Sequence, residues 1–327
     1  MKAFIIFAFT FLCMFSTSGI NIEITNPNQA DIKNAPVVVK LDHFKKTGPT
    51  KRDRLAVYID DKQVSSQLDD LNNDSIPDEL VFLADLKAGE KKKVQLRSIS
   101  DKKRIKFPAE VHATKWYPTD DQLAVGYNDD TLLVSGWVGV GTVKGFEKNK
   151  ATHINKFDLR THRIVATGNI RTIVESDVKG WEYEGKKADM TVRYILYARH
   201  RDVIAEITTS TDIDQLATGV QQIGGGACFQ SNQLVGAWGS YHPQPDTLKY
   251  AKETVGLGLY MPKEFQGKQI MEGVNNLIVF PQKKETTTRF YFIVIAEKEE
   301  QNDIKTAEDF FKYLNNWRRG LSPILVE

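Results

Sequence analysis

Cysteine is nearly absent from this chain. Among 327 residues there are two, Cys13 and Cys228. Cys13 lies in an apolar run, Ala3 to Phe15, that follows Lys2 and precedes Ser16-Thr17-Ser18. The pattern reads as a signal peptide over residues 1–18, with an apolar stretch too short to span a bilayer. Leu12 stands where a lipobox needs a small residue, so cleavage near Gly19 is expected and Cys13 leaves with the peptide. Cys228 is then alone. A secreted, periplasmic chain with no internal disulfide has to hold itself by its core. The length allows this, as two domains or as one large sandwich with an N-terminal module.

An excess of charge is missing too, with 44 Lys and Arg against 42 Asp and Glu. A nucleic-acid binder would carry a basic face, so no nucleic-acid partner is expected. The basic runs Lys91–Lys93 and Lys102–Arg104 read as solvated loops. No second apolar run reaches spanning length, so no membrane contact is expected after signal removal. There is no HExxH and no CxxC, and the six histidines are scattered rather than spaced for zinc. Gly224-Gly225-Gly226 lacks the lysine and the strand–loop–helix context of a phosphate loop and reads as a close-packed bend. No organic cofactor is implied, no motif supports a Ser-His-Asp triad or a glycosidase acid pair, and the oligomeric state is left open.

What is there is strand after strand. Pro36–Leu41, Leu55–Asp60, Gln63–Leu68, Glu79–Leu83 and Lys93–Ser98 are β-branched or aromatic runs between turn residues. They predict a small all-β module over residues 19–105, bounded by the lysine-rich stretch before Phe107-Pro108. Residues 106–327 carry longer candidates: Leu132–Val138, Arg163–Ala166, Ile170–Asp177, Thr191–Ala198, Val203–Thr209, Gly256–Tyr260, Asn276–Phe280 and Arg289–Ile295. Gly168-Asn169 and Arg201-Asp202 read as tight turns, and long antiparallel strands joined by such turns imply a sandwich. One helix is predicted near the end. Thr306 caps it, Asp309 stands three residues on, and Phe310, Phe311, Leu314 and Trp317 form its apolar face.

Between two early strands, Asp70, Asn72, Asp74 and Asp78 occupy positions one, three, five and nine of a short loop, with Ile76 at seven. Alternating oxygens at this spacing suit a hard cation such as Ca²⁺, with Ile76 offering its carbonyl. Ser75 replaces the usual glycine at position six, and Val81 stands where a bidentate glutamate would be. The competing reading is an Asx-rich turn without metal.

Strands put alternate side chains on one face. Arg193, Ile195, Tyr197 and Arg199 therefore share a face, as do Arg171, Ile173 and Glu175 on the preceding strand. Pairing those strands brings Arg171, Arg193 and Tyr197 to one surface suited to an anion. Arg160 and His162 share a face of the strand before, with Arg163 opposite. The plainer reading pairs Arg193 with Glu175 across the sheet and makes Tyr197 and His162 structural. Trp116, Tyr117, Trp238, Tyr241 and His242 fall near strand ends or loops and suit stacking on sugar C–H faces, although tryptophans at loops also cap cores.

The runs SSQLDD, NNDSIPDELVFLADLKAGEKK, ATGNIRTIVESDVKGW and TVGLGLYMP resemble segments of a secreted bacterial family from polysaccharide-utilisation loci, catalogued as a domain of unknown function. The resemblance runs from about Ile22 to the C-terminus. The strand pattern looks like a small β-sandwich followed by a galactose-mutarotase-like supersandwich with a C-terminal helix, an analogy of fold. The resemblance implies an oligosaccharide dehydratase acting on ulvan-type acidic oligosaccharides. Water would leave across C4–C5 of a non-reducing-end uronate. Arg171 and Arg193 suit its carboxylate, and His162 and Tyr197 suit the acid–base pair. The longer members carry a His- and Trp-rich insertion that is short here (Lys115 to Phe146). The alternatives are a sugar-binding or mutarotase-like protein and a structural accessory.

Overall fold

The computed structural model describes residues 19–44, 54–99, 124–127, 130–133, 138–241, 252–299 and 303–327. They are almost entirely antiparallel β-sheet, as the sequence leads one to expect. The first sandwich uses β1 (Ile20–Thr25), β2 (Ile32–Lys40), β3 (Leu55–Ile59), β4 (Lys62–Val64), β5 (Ser66–Asp69), β6 (Glu79–Leu86) and β7 (Lys91–Ser98). A hairpin of β8 (Ala124–Tyr127) and β9 (Asp130–Leu133) follows. Then come β10 (Lys144–Glu147), β11 (Lys150–Thr152), β12 (Leu159–Thr167), β13 (Arg171–Tyr183), β14 (Lys186–Tyr197), β15 (Val203–Thr209), β16 (Ile213–Gln221), β17 (Ala227–Ser231) and β18 (Leu234–Tyr241). The last elements are β19 (Glu253–Tyr260), β20 (Lys268–Glu272), β21 (Asn275–Gln282), β22 (Thr288–Ala296), α1 (Ala307–Trp317) and β23 (Leu325–Val326).

Two of the sheets make the first sandwich, in orders β23-β1-β7-β3-β4 and β2-β6-β5. Strand β23 comes from the far end of the sequence and pairs with β1. Val37, Val39, Leu80 and Phe82 meet Ile22, Ile24, Val94 and Leu96 between the layers. The other face of β2 and β6 is apolar as well: Val38 and Val81 pack against Ile173, Ile195 and Tyr197 of the larger unit. Burial on both faces explains why β2 reads as an unbroken apolar run, Pro36 to Val39, rather than an alternating one.

The larger unit stacks an eight-stranded sheet, β12-β13-β14-β15-β22-β19-β18-β17, on a five-stranded sheet, β11-β10-β16-β21-β20. Val192, Leu196, Ile207, Leu216, Phe280 and Phe292 fill the space between them. The outer face of the large sheet is covered twice. The β2-β6-β5 sheet covers β13 and β14, and α1 covers β18 and β19 through Phe310 and Leu314. The capping of α1 is as predicted, with the Thr306 hydroxyl accepting the Asp309 amide at 3.1 Å. Gly256 and Gly258 make room for this helix, since a Cβ there would run into Phe310 and Leu314. Among the described residues no helix is long and apolar enough to cross a membrane.

Beside their apolar contact, a buried polar cluster locks the two units. The Gln67 amide oxygen accepts the backbone N–H groups of Ile170 and Arg171 at 2.9 and 3.0 Å, and its nitrogen donates to the Arg171 carbonyl at 2.9 Å and to Asp69 at 2.7 Å. A Cβ on Gly168 would strike the same amide. The Arg171 side chain, 2% exposed, crosses to Asp69 at 2.7 Å and to Glu79. The run Gly168-Asn169-Ile170-Arg171 is therefore a docking motif. Arg171→Met is expected to cost about 3–5 kcal/mol, because Asp69 is left buried and uncompensated. Urea unfolding measures it, and a loss below about 1 kcal/mol would deny the lock this role.

Candidate functional site

Charges alternate across the outer face of the large sheet. The register sets Arg163 opposite Glu175, Glu175 opposite Arg193, Arg193 opposite Glu206, and Glu206 opposite Arg289. Glu175 accepts from Arg163 and from Arg193, the latter through Nε at 3.1 Å and Nη2 at 2.7 Å. Glu206 accepts from Nε of Arg289 at 3.0 Å and from its Nη2. The glutamates lie deep, with side chains 4% and 16% exposed, and the arginines stand above them, Arg193 at 30% and Arg289 at 31%. Burial alone would raise the Glu175 carboxyl, but hydrogen bonds from Arg193 and Arg163 outweigh it and hold the pKa below the usual carboxylate range.

Above Arg193 and Arg289 lies a cavity of about 480 Å³, walled by the large sheet, by β2, and by the chain from the end of α1 to β23. Tyr197 and Tyr291 line it too. Burial raises both phenols, Tyr291 to about 12 and Tyr197 despite the opposing charge of Arg171, whose Nη1 donates to the Tyr197 hydroxyl at 3.3 Å. Both therefore keep their protons at neutral pH. His200, at the turn between β14 and β15, completes this wall. Its Nε2 lies 2.8 Å from the Asn34 carbonyl and its Nδ1 3.4 Å from Asp202. Burial would lower this imidazole, yet Asp202 and the Asn34 carbonyl outweigh it and the pKa rises.

The structure brings Arg171, Arg193 and Tyr197 to one cavity, on the face that alternation assigns to them. His162 is not with them. It pairs with Ser176, one position out of phase with the Arg163–Glu175 pair, and so belongs to the opposite face of the sheet. An acid–base pair of His162 and Tyr197 is therefore corrected. Burial, then the charge of Arg160, lowers the His162 pKa against Asp177. Arg171 is occupied by Asp69 and Glu79, which makes it a lock more than a carboxylate clamp. Trp238 is 8% exposed and packs on Phe310 with ring centroids 5.5 Å apart, so it offers no open stacking platform. Trp116, Tyr117 and His242 lie outside the described residues, as does the side chain of Tyr241. Glu206, Arg289, Tyr291, His200 and Asp202 escape a reading of single strands. Glu206 and Tyr291 are signalled as a charged and a phenolic residue interrupting the apolar runs Val203–Thr209 and Arg289–Ile295, Arg289 as the charge that opens the second run, and His200 and Asp202 only by flanking the turn before Val203.

The Asp70–Asp78 loop is closed by its own side chains. Asp70 accepts the Asp74 and Ser75 amides at 3.1 and 2.7 Å, Asn72 accepts Asp74 at 2.9 Å, Asp74 accepts Ile76 at 2.9 Å, and Asp78 accepts Leu71 at 2.8 Å. Ser75 is left-handed at φ 69°, the conformation a glycine there would serve. Among the described residues no group of three or more His, Cys, Asp or Glu side chains could hold a metal ion. These bonds satisfy the Asx-turn reading without a cation.

Two measurements follow from this geometry. Asp70→Ala strips the Ser75 amide of its acceptor, leaves the Asp74 amide to Asn72 alone, and is expected to cost roughly 1 kcal/mol in chelator. Calcium binding requires in addition a rise in Tm with Ca²⁺ that Asp74→Ala abolishes, and coincident melts end that expectation. The second concerns acid. Because the folded Glu175 carboxyl titrates below its ordinary value of 4.5, its contribution is present above that value and lost as pH falls through the lowered one. The stability gap between the wild type and Glu175→Gln is thus expected to be wide at neutral pH and to narrow as the solution is acidified below that value, which urea melts at several pH values read directly.

Comparison with solved structures returns an alpha-mannosidase from Enterococcus faecalis V583, 10% identical, with a TM-score of 0.47 over 94% of this chain and 45% of that one. A protein in the glycosyl hydrolase family 38 from Enterococcus faecalis is 11% identical, with a TM-score of 0.46 over 96% of this chain and 48% of that one. The chain thus spans less than half the length of either. Comparison with curated proteins gives no significant match. A family model does match nearly the whole described fold, over residues 24–122 and 114–326: the chain belongs to the family described as domain of unknown function DUF4861.

Proposed function

We propose that this protein processes acidic oligosaccharides, holding a non-reducing-end uronate in the cavity and eliminating water across C4–C5. One observation carries the reading. Arg193 reaches the cavity half-exposed with only its Nε and Nη2 tied to Glu175, which leaves the Nη1 side outside the ion pair, next to two phenols that keep their protons. The reaction itself comes from the family resemblance of the sequence motifs, with ulvan-type material as the substrate.

The residues meet its chemical demands. A uronate C5–H is acidic only when the adjacent carboxylate is neutralised, which suits the Arg193 guanidinium. Glu206 lines the cavity and takes the C5 proton. Tyr197 gives its proton to O4, the C4–O bond breaks, water leaves, and the electrons of the C5–H bond form the C4=C5 bond. Arg171 beside the Tyr197 oxygen stabilises the phenolate so formed, and the proton on Glu206 returns to it to close the cycle. His162 has no part in this scheme, and Glu206 takes the place it was assigned.

Arg193→Lys is expected to lose most activity, since an ammonium does not reproduce the planar fork. Tyr197→Phe is expected to lower kcat by about 10²–10⁴-fold with little change in KM. Absorbance of the unsaturated uronate, with saturated uronyl oligosaccharide as substrate, checks both against melting curves. The second reading is a sugar-binding protein without elimination, favoured by the fact that each cavity arginine already has a glutamate partner. Saturable binding with no absorbance change would select it.

A further inference from the structure

The cavity wall carries a second arginine of the ladder, Arg289, which in the proposed reaction only holds Glu206. Arg193 stands on β14 and Arg289 on β22, with β15 between them. Both occupy one row of the register, through Glu206. Neighbouring strands lie about 4.8 Å apart, so the two backbones stand roughly 10 Å apart. The side chains do not close that gap. Arg193 leans to Glu175 on β13 and Arg289 leans to Glu206 on β15. Both lean towards the β12 edge of the sheet, so the guanidinium heads keep the spacing of their strands. The bonds also fall on the same atoms. Each glutamate takes Nε and Nη2, and each Nη1 side remains outside the ion pair.

We propose that Arg289 is a second anion subsite of this cavity, and that the ligand is an oligosaccharide carrying acid groups on two separate sugar units. The inference rests on the reading of the cavity as a uronate site. One carboxylate does not reach both heads at this spacing, so a single acidic sugar fills one subsite and leaves the other cation unused. A volume of about 480 Å³ falls within the range of small-ligand pockets and leaves room beyond the reacting sugar. Tyr291, next but one to Arg289 on β22, also lines this part of the wall. The second acid group is a carboxylate or a sulfate ester, since the guanidinium edge accepts both.

Isothermal titration of the whole protein with four probes tests this: glucuronate, a uronyl disaccharide with a neutral second sugar, the same disaccharide sulfated on that sugar, and a diuronide. The two dianions are expected to bind roughly tenfold to a hundredfold more tightly than the monoanions. A preference for one dianion over the other identifies the group that Arg289 takes. In Arg289→Lys, which keeps the charge but loses the fork, the affinities for dianion and monoanion should converge. Arg193→Lys should instead weaken both. Equal affinities in the wild type would overturn the second subsite while leaving the uronate site standing. A dianion preference that survives in Arg289→Lys would also overturn it. Failure of all four probes to bind would remove the underlying reading and this inference with it.

Discussion

Everything at the cavity depends on one buried cation. The Arg171 guanidinium sits 2% exposed between Asp69 and Glu79 of the first sandwich and Tyr197 of the large sheet. Taking a guanidinium out of water is costly, and only carboxylates in hydrogen-bond contact offset the loss. The large sheet supplies the cation and the first sandwich supplies both anions. Neither unit can satisfy its own charges there, so they dock in one relative position. That position puts β2 over β14 and leaves the space that Tyr197, Arg193 and Arg289 line.

The rest of that wall follows the same logic in a milder form. In the ladder the anions lie low and the cations lie above them. Each glutamate is bound by its arginine, and the arginine keeps one edge towards the cavity. The buried carboxylates hold their arginines in fixed rotamers. A ligand that meets them therefore finds donors already oriented and gives up less side-chain freedom on binding.

How much of this is legible in the sequence depends on distance along the chain. Alternation alone puts Arg193 with Tyr197 and Arg171 with Glu175, because a strand's period is a local property. The phase between strands is not local. His162 sits two residues from Arg160 and one from Arg163, and only the pairing with Ser176 decides that it faces away from Arg193. The partners of Arg171 lie 102 and 92 residues away, beyond any spacing rule. Boundaries failed for related reasons. Gln63–Leu68 reads as one strand but is split between β4 and β5, which belong to different sheets. Strands β10, β11, β17 and β20 are three to five residues long and hold at most one β-branched residue each, so β-propensity does not mark them. The triple glycine, by contrast, is legible as a close-packed bend and proves so, with Gly224 and Gly226 against the backbone of Ser240 and Trp238, whereas Gly256 and Gly258 read only as part of a strand and lie beneath α1.

A row of charges on a largely buried sheet face calls for a reason other than stability. Replacing buried ion pairs with apolar residues of similar volume is often neutral or stabilising. The same sheet offers the apolar solution two residues along, where Ile173, Ile195 and Ile204 make the adjoining row and pack against the first sandwich. The fold is thus able to cover this face with aliphatic side chains and does so where the two units touch. It carries Arg193, Glu206 and Arg289 where they part. The aliphatic row borders the cavity as well, so the cavity sets a charged row beside an apolar one, the make-up expected of a surface kept for a polar ligand that also carries apolar faces.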